Sequence, residues 1–129
     1  MEPVLLTHAH PDHTGFAEPA RVEAGAVVRI HEDDAESART GRRAKPEGSM
    51  LPYLRRGEMY RTLFSLLRRG GARMIPIAEL STFRDGEVID VPGRPRVVHA
   101  PGHTAGSAAL HLPGARVVAT GDALVTPTR

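Results

Sequence analysis

The sequence predicts one mixed α/β domain. Short, branched apolar runs bounded by turn residues indicate strands in residues 1–34 and 76–129, and helical periodicity accompanies them. The chain has 129 residues, enough to bury a core, and its 40% hydrophobic content is ordinary once its 13 glycines are added. With no internal repeat or low-complexity tract, the expected domain covers residues 1–129.

The first part of the chain alternates strands and helices. We predict a strand at 4–7, a loop at 8–13, a helix at 16–24, a strand at 27–31 and a helix that begins with the acidic residues 32–34. Pro11 biases His10 away from helical geometry, which favours the loop. Gly15 permits the turn before the next helix, and Pro19 is tolerated in the first turn of that helix. The three acidic residues suit a helix start, where backbone N–H groups are unpaired.

Residues 35–75 are predicted to form a helical insertion within the domain. This part is charged and punctuated by glycine and proline. Residues 58–69 fit an amphipathic helix, because Tyr60, Phe64 and Leu67 follow the i, i+4, i+7 spacing of one helix face.

The last part of the chain is predicted to be mostly strands. The expected strands are 88–91, 96–99, 107–112 and 116–120, separated by Pro-Gly turns. Loops at the ends of such strands can bring distant side chains to one point.

A histidine-rich heptapeptide at residues 7–13 is the most informative part of the sequence. It reads Thr-His-Ala-His-Pro-Asp-His, and its imidazoles and carboxylate are ligands that zinc, iron and manganese prefer. His8 and His10 lie two apart in an extended segment, so they can converge on one ion. Asp12 and His13 are neighbours that we expect to point apart, which suits a second ion beside the first. The alternative is a solvated turn that is histidine-rich by coincidence.

This pattern resembles the first motif of the metallo-beta-lactamase superfamily, His-x-His-x-Asp-His on the loop after a strand. Residues 99–107, His-Ala-Pro-Gly-His-Thr-Ala-Gly-Ser, resemble the second motif, whose ligand maps to His103. Residues 120–122, Thr-Gly-Asp, resemble the third motif, whose ligand maps to Asp122. The resemblance implies a metallo-beta-lactamase-like αββα sandwich that is incomplete here and carries a helical insertion.

The resemblance also implies a ligand set and a reaction. It assigns His8, His10 and His103 to one ion, Asp12 and His13 to the other, and Asp122 to both. Two zinc ions are expected, and iron or manganese fits the same donors. The implied function is hydrolysis of an ester, thioester, lactone or lactam-type small-molecule substrate by a metal-bound hydroxide, which the catalytic Asp12 would orient.

Two features of the family pattern lie outside this sequence. The family has strands before the first motif and a further histidine after the third, whereas here the first ligand is His8 and the last residue is Arg129. We therefore expect the chain to be a segment or truncated product of a larger hydrolase. One alternative is a non-catalytic remnant that binds metal without turnover.

Several other classes of protein are disfavoured. The chain has no cysteine and no Gly-x-Ser-x-Gly sequence, so a covalent nucleophilic mechanism lacks an agent. No apolar stretch approaches the roughly 20 residues that span a bilayer, and no signal segment precedes the first motif, so a cytoplasmic location without membrane contact is expected. Oligomeric state is left open.

Nucleic-acid or phosphodiester processing is a further alternative. It would use the paired arginines Arg42, Arg43, Arg55, Arg56, Arg68 and Arg69. Because Tyr60 and Phe64 belong to the apolar stripe, only Tyr53 is left nearby to stack on a base. We therefore favour a helical cap over the site and disfavour a nucleic-acid partner.

The three histidines that are not assigned as ligands are expected to have structural roles. His31 ends a strand, and His111 lies within one. His99 lies four residues before the expected ligand His103, so we expect it to support the site or to pack.

Overall fold

The computed structural model describes residues 2–43, 64–65, 68 and 73–124. Two three-stranded sheets and a small number of helices make up these residues. In chain order the elements are β1 Pro3–Leu5, α1 Pro11–Thr14, α2 Ala17–Ala24, β2 Val27–His31, α3 Glu32–Thr40, β3 Ser81–Phe83, β4 Arg96–His99, β5 Ala108–Leu112, β6 Val117–Ala119 and a 3₁₀ helix at Gly121–Ala123.

The first sheet is parallel, with the strand order β1-β2-β3. Parallel neighbours need a crossover, and α2 supplies it between β1 and β2. Gly25 ends α2 in the left-handed conformation (φ 64°), which lets the chain turn directly into β2. The register pairs Val4 with Val28 and Ile30 with Thr82, so these four side chains share one face of the sheet.

The second sheet is an antiparallel meander, with the order β4-β5-β6. Its β4 pairs with β5 from Arg96 opposite His111 to His99 opposite Ala108. The Ala108 N–H donates to the Thr7 carbonyl at 2.9 Å, which joins the second sheet to the segment after β1. This bond places the end of β1 beside the start of β5.

Two cores define the order of the layers. The first lies between the helices and the first sheet and contains Leu6, Ala9, Ala17, Val28, Ile30, Ala35, Ala38, Met74 and Ile77. The second lies between the two sheets and contains Phe83, Ile89, Val97, Ala108 and Leu110. The described layers therefore run helix, sheet, sheet, and the predicted mixed α/β class is confirmed.

Most predicted elements are present, with three differences. The loop predicted at 8–13 is confirmed at 8–10, where His10 is extended, and is wrong from Pro11 onward, because Pro11–Thr14 is a helical turn with proline at its first position, where a missing N–H costs nothing. The strand predicted at 88–91 is reduced to one bridge between Val88 and Arg96. The short strand β3 was not predicted from the sequence; its pairing with β2 depends on contacts distant in the chain.

The predicted helix at 58–69 lies mostly outside the described residues. Within that range the structure describes Phe64, Ser65 and Arg68, and these three are helical. The extent of the domain and the division of the chain at 35 and 75 stay predictions, although Ala35 and Met74 pack in the first core. None of the helices in the described ranges has the length and apolar character that a bilayer crossing requires. The cytoplasmic location stays a prediction.

Candidate metal centre

Three chain segments that follow strands meet at one point. His8 and His10 follow β1, His103 lies in the loop between β4 and β5, and Asp122 lies in the 3₁₀ helix after β6. One ligand atom from each of these four residues lies within 4.8 Å of all the others. We call these four residues the first cluster.

The distances between donor atoms in the first cluster suit an ion with tetrahedral coordination. His10 Nδ1 and His103 Nε2 are 2.9 Å apart, and His103 Nε2 is 3.3 Å from Asp122 Oδ2. His8 Nε2 is 3.7 Å from the same carboxylate oxygen. Zinc with ligands at about 2.0–2.1 Å in a tetrahedron separates them by about 3.3 Å, so small side-chain movements suffice to place all four around one ion.

His8 carries the clearest indication that a cation belongs here. Its side chain is 1% exposed, and its Nε2 is one of two buried side-chain polar atoms without a hydrogen-bond partner among the described residues. Its Nδ1 lies 3.1 Å from Thr7 Oγ1, a hydrogen bond that orients the ring. A buried imidazole nitrogen without a partner costs free energy, and a metal ion would satisfy it.

A second cluster lies beside the first and consists of Asp12, His13 and Asp122. His13 Nε2 is 3.4 Å from Asp12 Oδ2 and 3.4 Å from Asp122 Oδ1. The expectation that Asp12 and His13 point apart is therefore wrong. It assumed extended backbone, whereas both residues lie in the helical turn of α1, and their side chains reach the same place.

Asp122 belongs to both clusters, and each of its oxygens faces a different one. Oδ2 faces His8 and His103, while Oδ1 faces His13. Gly121 makes this position possible, because it has φ 52° and a Cβ there would lie 2.5 Å from Thr7 Oγ1. The structure thus brings together all six predicted ligand residues, with one carboxylate between two donor sets.

Comparison with known proteins agrees with this geometry. A sequence profile described as the metallo-beta-lactamase superfamily matches residues 3–129. The chain belongs to this superfamily. The family and the incomplete metallo-beta-lactamase-like fold that the motifs predicted are thereby confirmed, and the solved structures show the same fold. A search of curated proteins found no match.

Three solved structures illustrate the similarity. A metallo-beta-lactamase family protein from Thermus thermophilus is 30% identical with a TM-score of 0.65, and the match covers 99% of this chain and 42% of that one. GOB-18 from Elizabethkingia meningoseptica is 25% identical (TM-score 0.60; 85% and 34% covered), and FEZ-1 from Legionella gormanii is 18% identical (TM-score 0.60; 87% and 36% covered). The chain thus spans about two-fifths or less of their length.

Two histidines of the superfamily's first motif, His8 and His10, are held neutral by their surroundings. Burial lowers the pKa of His8 from 6.5 to about 4, and the neighbouring His13 and His10 act in the same direction. Burial, followed by the nearby His103, also lowers the pKa of His10. Neutral imidazole has a free lone pair, so these rings are ready to bind metal at neutral pH.

This shift makes the metal-free protein sensitive to acid. Because the pKa of His8 is lower in the folded state, the unfolded chain binds more protons between pH 6.5 and 4, and stability is lost as pH falls through that range. From pH 7 to pH 5 we expect His8 to remove about 2 kcal/mol from the free energy of unfolding. Urea denaturation of metal-free protein at both pH values measures this loss. A His8→Gln control should lose less, and an equal loss in both proteins would contradict the prediction.

Two of the remaining histidines, His31 and His99, stack on each other beside Asp33. The rings of His31 and His99 stack at 4.0 Å with an interplanar angle of 9°, and His99 Nε2 lies 3.7 Å from Asp33 Oδ2. The His31 side chain caps α3 by accepting from the Asp33 N–H, and His99 Nε2 lies 2.8 Å from the Ala105 carbonyl. These three residues could also approach one ion, but hydrogen bonds already use His31 Nδ1 and His99 Nε2. The pair therefore supports the loop that carries His103.

Sequence reasoning missed a buried polar group beneath the superfamily motifs. It consists of Asp34, Thr104 and Ser107, each at most 9% exposed. Asp34 was assigned only to the acidic start of α3, and nothing in its local sequence distinguishes it from Glu32 and Asp33. Thr104 and Ser107 carried a usable signal: a serine three residues after a threonine that follows a ligand is typical of a side-chain-capped turn. The Thr104 N–H does donate to Ser107 Oγ at 2.9 Å.

Proposed function

We propose that the two clusters bind two metal ions, preferably zinc, and form the centre of a metal-dependent hydrolase. The observation that carries this proposal is Asp122, whose carboxylate directs one oxygen toward each donor set. The proposed substrates are small molecules with an ester, thioester, lactone or lactam bond. GOB-18 and FEZ-1 are named as metallo-beta-lactamases, which supports the lactam member of this group.

The donor sets fit such ions. His8, His10 and His103 would hold one ion, Asp12 and His13 the other, and Asp122 both. When bound, the ions would lower the pKa of a water molecule toward neutrality and so supply a nucleophile without a reactive side chain. His8 is buried, and such an ion would satisfy its Nε2, which has no hydrogen-bond partner within the described part of the chain.

Asp12 is the group we assign to proton handling and orientation of water. Its side chain is 58% exposed, the most open of the acidic groups in the two clusters, while its Oδ2 remains 3.4 Å from His13. His103 is also partly open, at 36%. A substrate would therefore approach from the side of Asp12 and His103, where the Asp12 carboxylate can accept a proton and His8 is out of reach.

The arginine-rich segment keeps its proposed role as a cap over the site. Arg42, Arg43 and Arg68 are exposed, and the other three paired arginines lie outside the described residues. The described part of the chain adds no contact that favours a nucleic acid, so hydrolysis of a small molecule is the single function proposed.

Metal titration of single variants tests the two-site assignment. We expect the metal-depleted chain to bind two zinc ions, His8→Ala to lose the ion of the first cluster, and His13→Ala to lose that of the second. Each substitution should lower the zinc affinity of the affected site at least about 100-fold, because residues that only hydrogen-bond to a ligand already change metal affinity 10- to 100-fold. His111→Ala, an equivalent change on β5 outside both clusters, should leave both sites intact.

Turnover separates the enzyme from the remnant. We expect metal-dependent hydrolysis of at least one member of an ester, thioester, lactone and lactam panel, abolished in His8→Ala and Asp12→Ala. Two bound ions without turnover of any member would favour the metal-binding remnant. A parent chain that binds no metal would overturn the proposal.

A further inference from the structure

Asp34 lies directly behind the two loops that carry the histidines of the first cluster. Its side chain is 1% exposed, although it is a carboxylate in the first turn of α3. A buried carboxylate is costly unless donors surround it, and Asp34 has three. The positions of these three donors indicate the role of Asp34.

The three donors come from both histidine loops. Asp34 Oδ2 accepts from the Ala9 N–H at 2.8 Å, and Ala9 lies between His8 and His10. The same oxygen accepts from Thr104 Oγ1 at 2.7 Å, and Thr104 directly follows His103. Asp34 Oδ1 accepts from the Gly106 N–H at 2.8 Å. One side chain is therefore bonded within one residue of three of the four first-cluster members.

The packing at this point leaves little room for adjustment. A Cβ on Gly106 would lie 2.6 Å from the Asp34 backbone nitrogen and 2.7 Å from its Cγ. Ser107 Oγ lies 2.9 Å from Thr104 Oγ1, so it can donate to that hydroxyl while the hydroxyl donates to Asp34. These bonds restrict the side chain of Thr104. Because His103 is its neighbour in the chain, they also restrict the backbone that carries His103.

We infer that Asp34 is a positioning residue that sets the spacing of His8, His10 and His103 before metal binds. The inference rests on the proposed metal centre. The described contacts between the two loops include the backbone bond from Ala108 to Thr7, and Asp34 adds a side-chain connection that does not use the proposed ligands themselves. It does not contact Asp12 or His13 among the described bonds, so we expect its effect to be larger at the first cluster than at the second.

Asp34→Asn tests this inference with little change in shape. In either orientation the amide can accept on one side only, so its NH₂ group must face a backbone or hydroxyl donor. Using cobalt(II) absorption with zinc competition, we expect affinity at the first cluster to fall at least about tenfold, and affinity at the second to change much less. On the metal-free chain, the Ala9 and Gly106 amides should exchange with solvent faster than in the parent.

A second pair of variants keeps the test decisive if Asp34→Asn does not fold. Thr104→Val removes the hydroxyl and keeps the branched shape, whereas Thr104→Ser keeps the hydroxyl. We expect the valine variant to lose first-cluster affinity and the serine variant to retain it. Ile89→Ala, in the second core, controls for a general loss of stability and should leave both metal affinities unchanged.

The outcomes distinguish this inference from the proposed function. If the parent binds no metal, the proposed function fails. If the parent binds two ions and Asp34→Asn and Thr104→Val bind both with parental affinity, the function stands and the positioning role is wrong. Equal weakening of both sites, matched by Ile89→Ala, would also overturn it, because a merely structural residue gives that result.

Discussion

Asp122→Asn is expected to reduce the metal content from two ions per chain to one and to lower hydrolysis at least about 100-fold. The amide keeps the size of the side chain but offers one neutral oxygen, and its NH₂ group cannot bind a cation. Because Oδ1 faces His13 and Oδ2 faces His8 and His103, the change must withdraw an oxygen from one of the two clusters. Elemental analysis after dialysis and a chelator competition titration measure the loss.

The matched control for this change is Asp90→Asn. Asp90 is exposed and belongs to neither cluster, so the same loss of charge there should leave metal content and turnover at the parental level. Two ions held by Asp122→Asn with parental affinity would show that the carboxylate does not join the clusters.

Gly106→Ala is expected to lower the free energy of unfolding of the metal-free chain by about 3 kcal/mol. The added methyl group would lie within 2.7 Å of the backbone nitrogen, Cβ and Cγ of Asp34. Overpacking costs about 1–3 kcal/mol, and displacing Asp34 from the Gly106 N–H adds the cost of a buried donor without a partner. Chemical denaturation monitored by circular dichroism measures the difference.

Gly114→Ala is the control, because it makes the same substitution where no atom lies within 4 Å of the added Cβ. It should change the free energy of unfolding by less than about 1 kcal/mol. Equal stability of the two variants would mean that the contact between Gly106 and Asp34 relaxes without cost.

Several strands and the first-motif members of the two clusters could be predicted because they depend on local sequence. The branched run of β2 and the turn-bounded run of β4 indicate their strands within a few residues, and Val27–His31 and Arg96–His99 match the predicted ranges. The candidate ligands of the first motif, from His8 to His13, lie within six consecutive positions. His103 and Asp122, by contrast, were found through the family resemblance, since a Pro-Gly-His triplet and a Gly-Asp pair are individually common.

What sequence reasoning could not provide depends on contacts between distant parts of the chain. The role of Asp34 arises from a bond to Gly106, which is 72 positions away. Similarly, β3 forms by pairing with β2, whose residues lie about 50 positions earlier in the chain, as in the pair of Ile30 with Thr82. The helical turn at Pro11–Thr14 was missed for a local reason, because proline favours both a loop and the first position of a helix.

The sequence separation of the donors links metal supply to folding. His10 and His103 are 93 positions apart, so an unfolded chain has no equivalent of their site. By mass action, an ion that binds only the folded chain raises its apparent stability by about 2.7 kcal/mol at a free concentration 100 times Kd. If zinc is the ion of the proposed centre, a chain without zinc loses this increment and unfolds more often, which would expose it to proteases and make its lifetime depend on the free-zinc concentration.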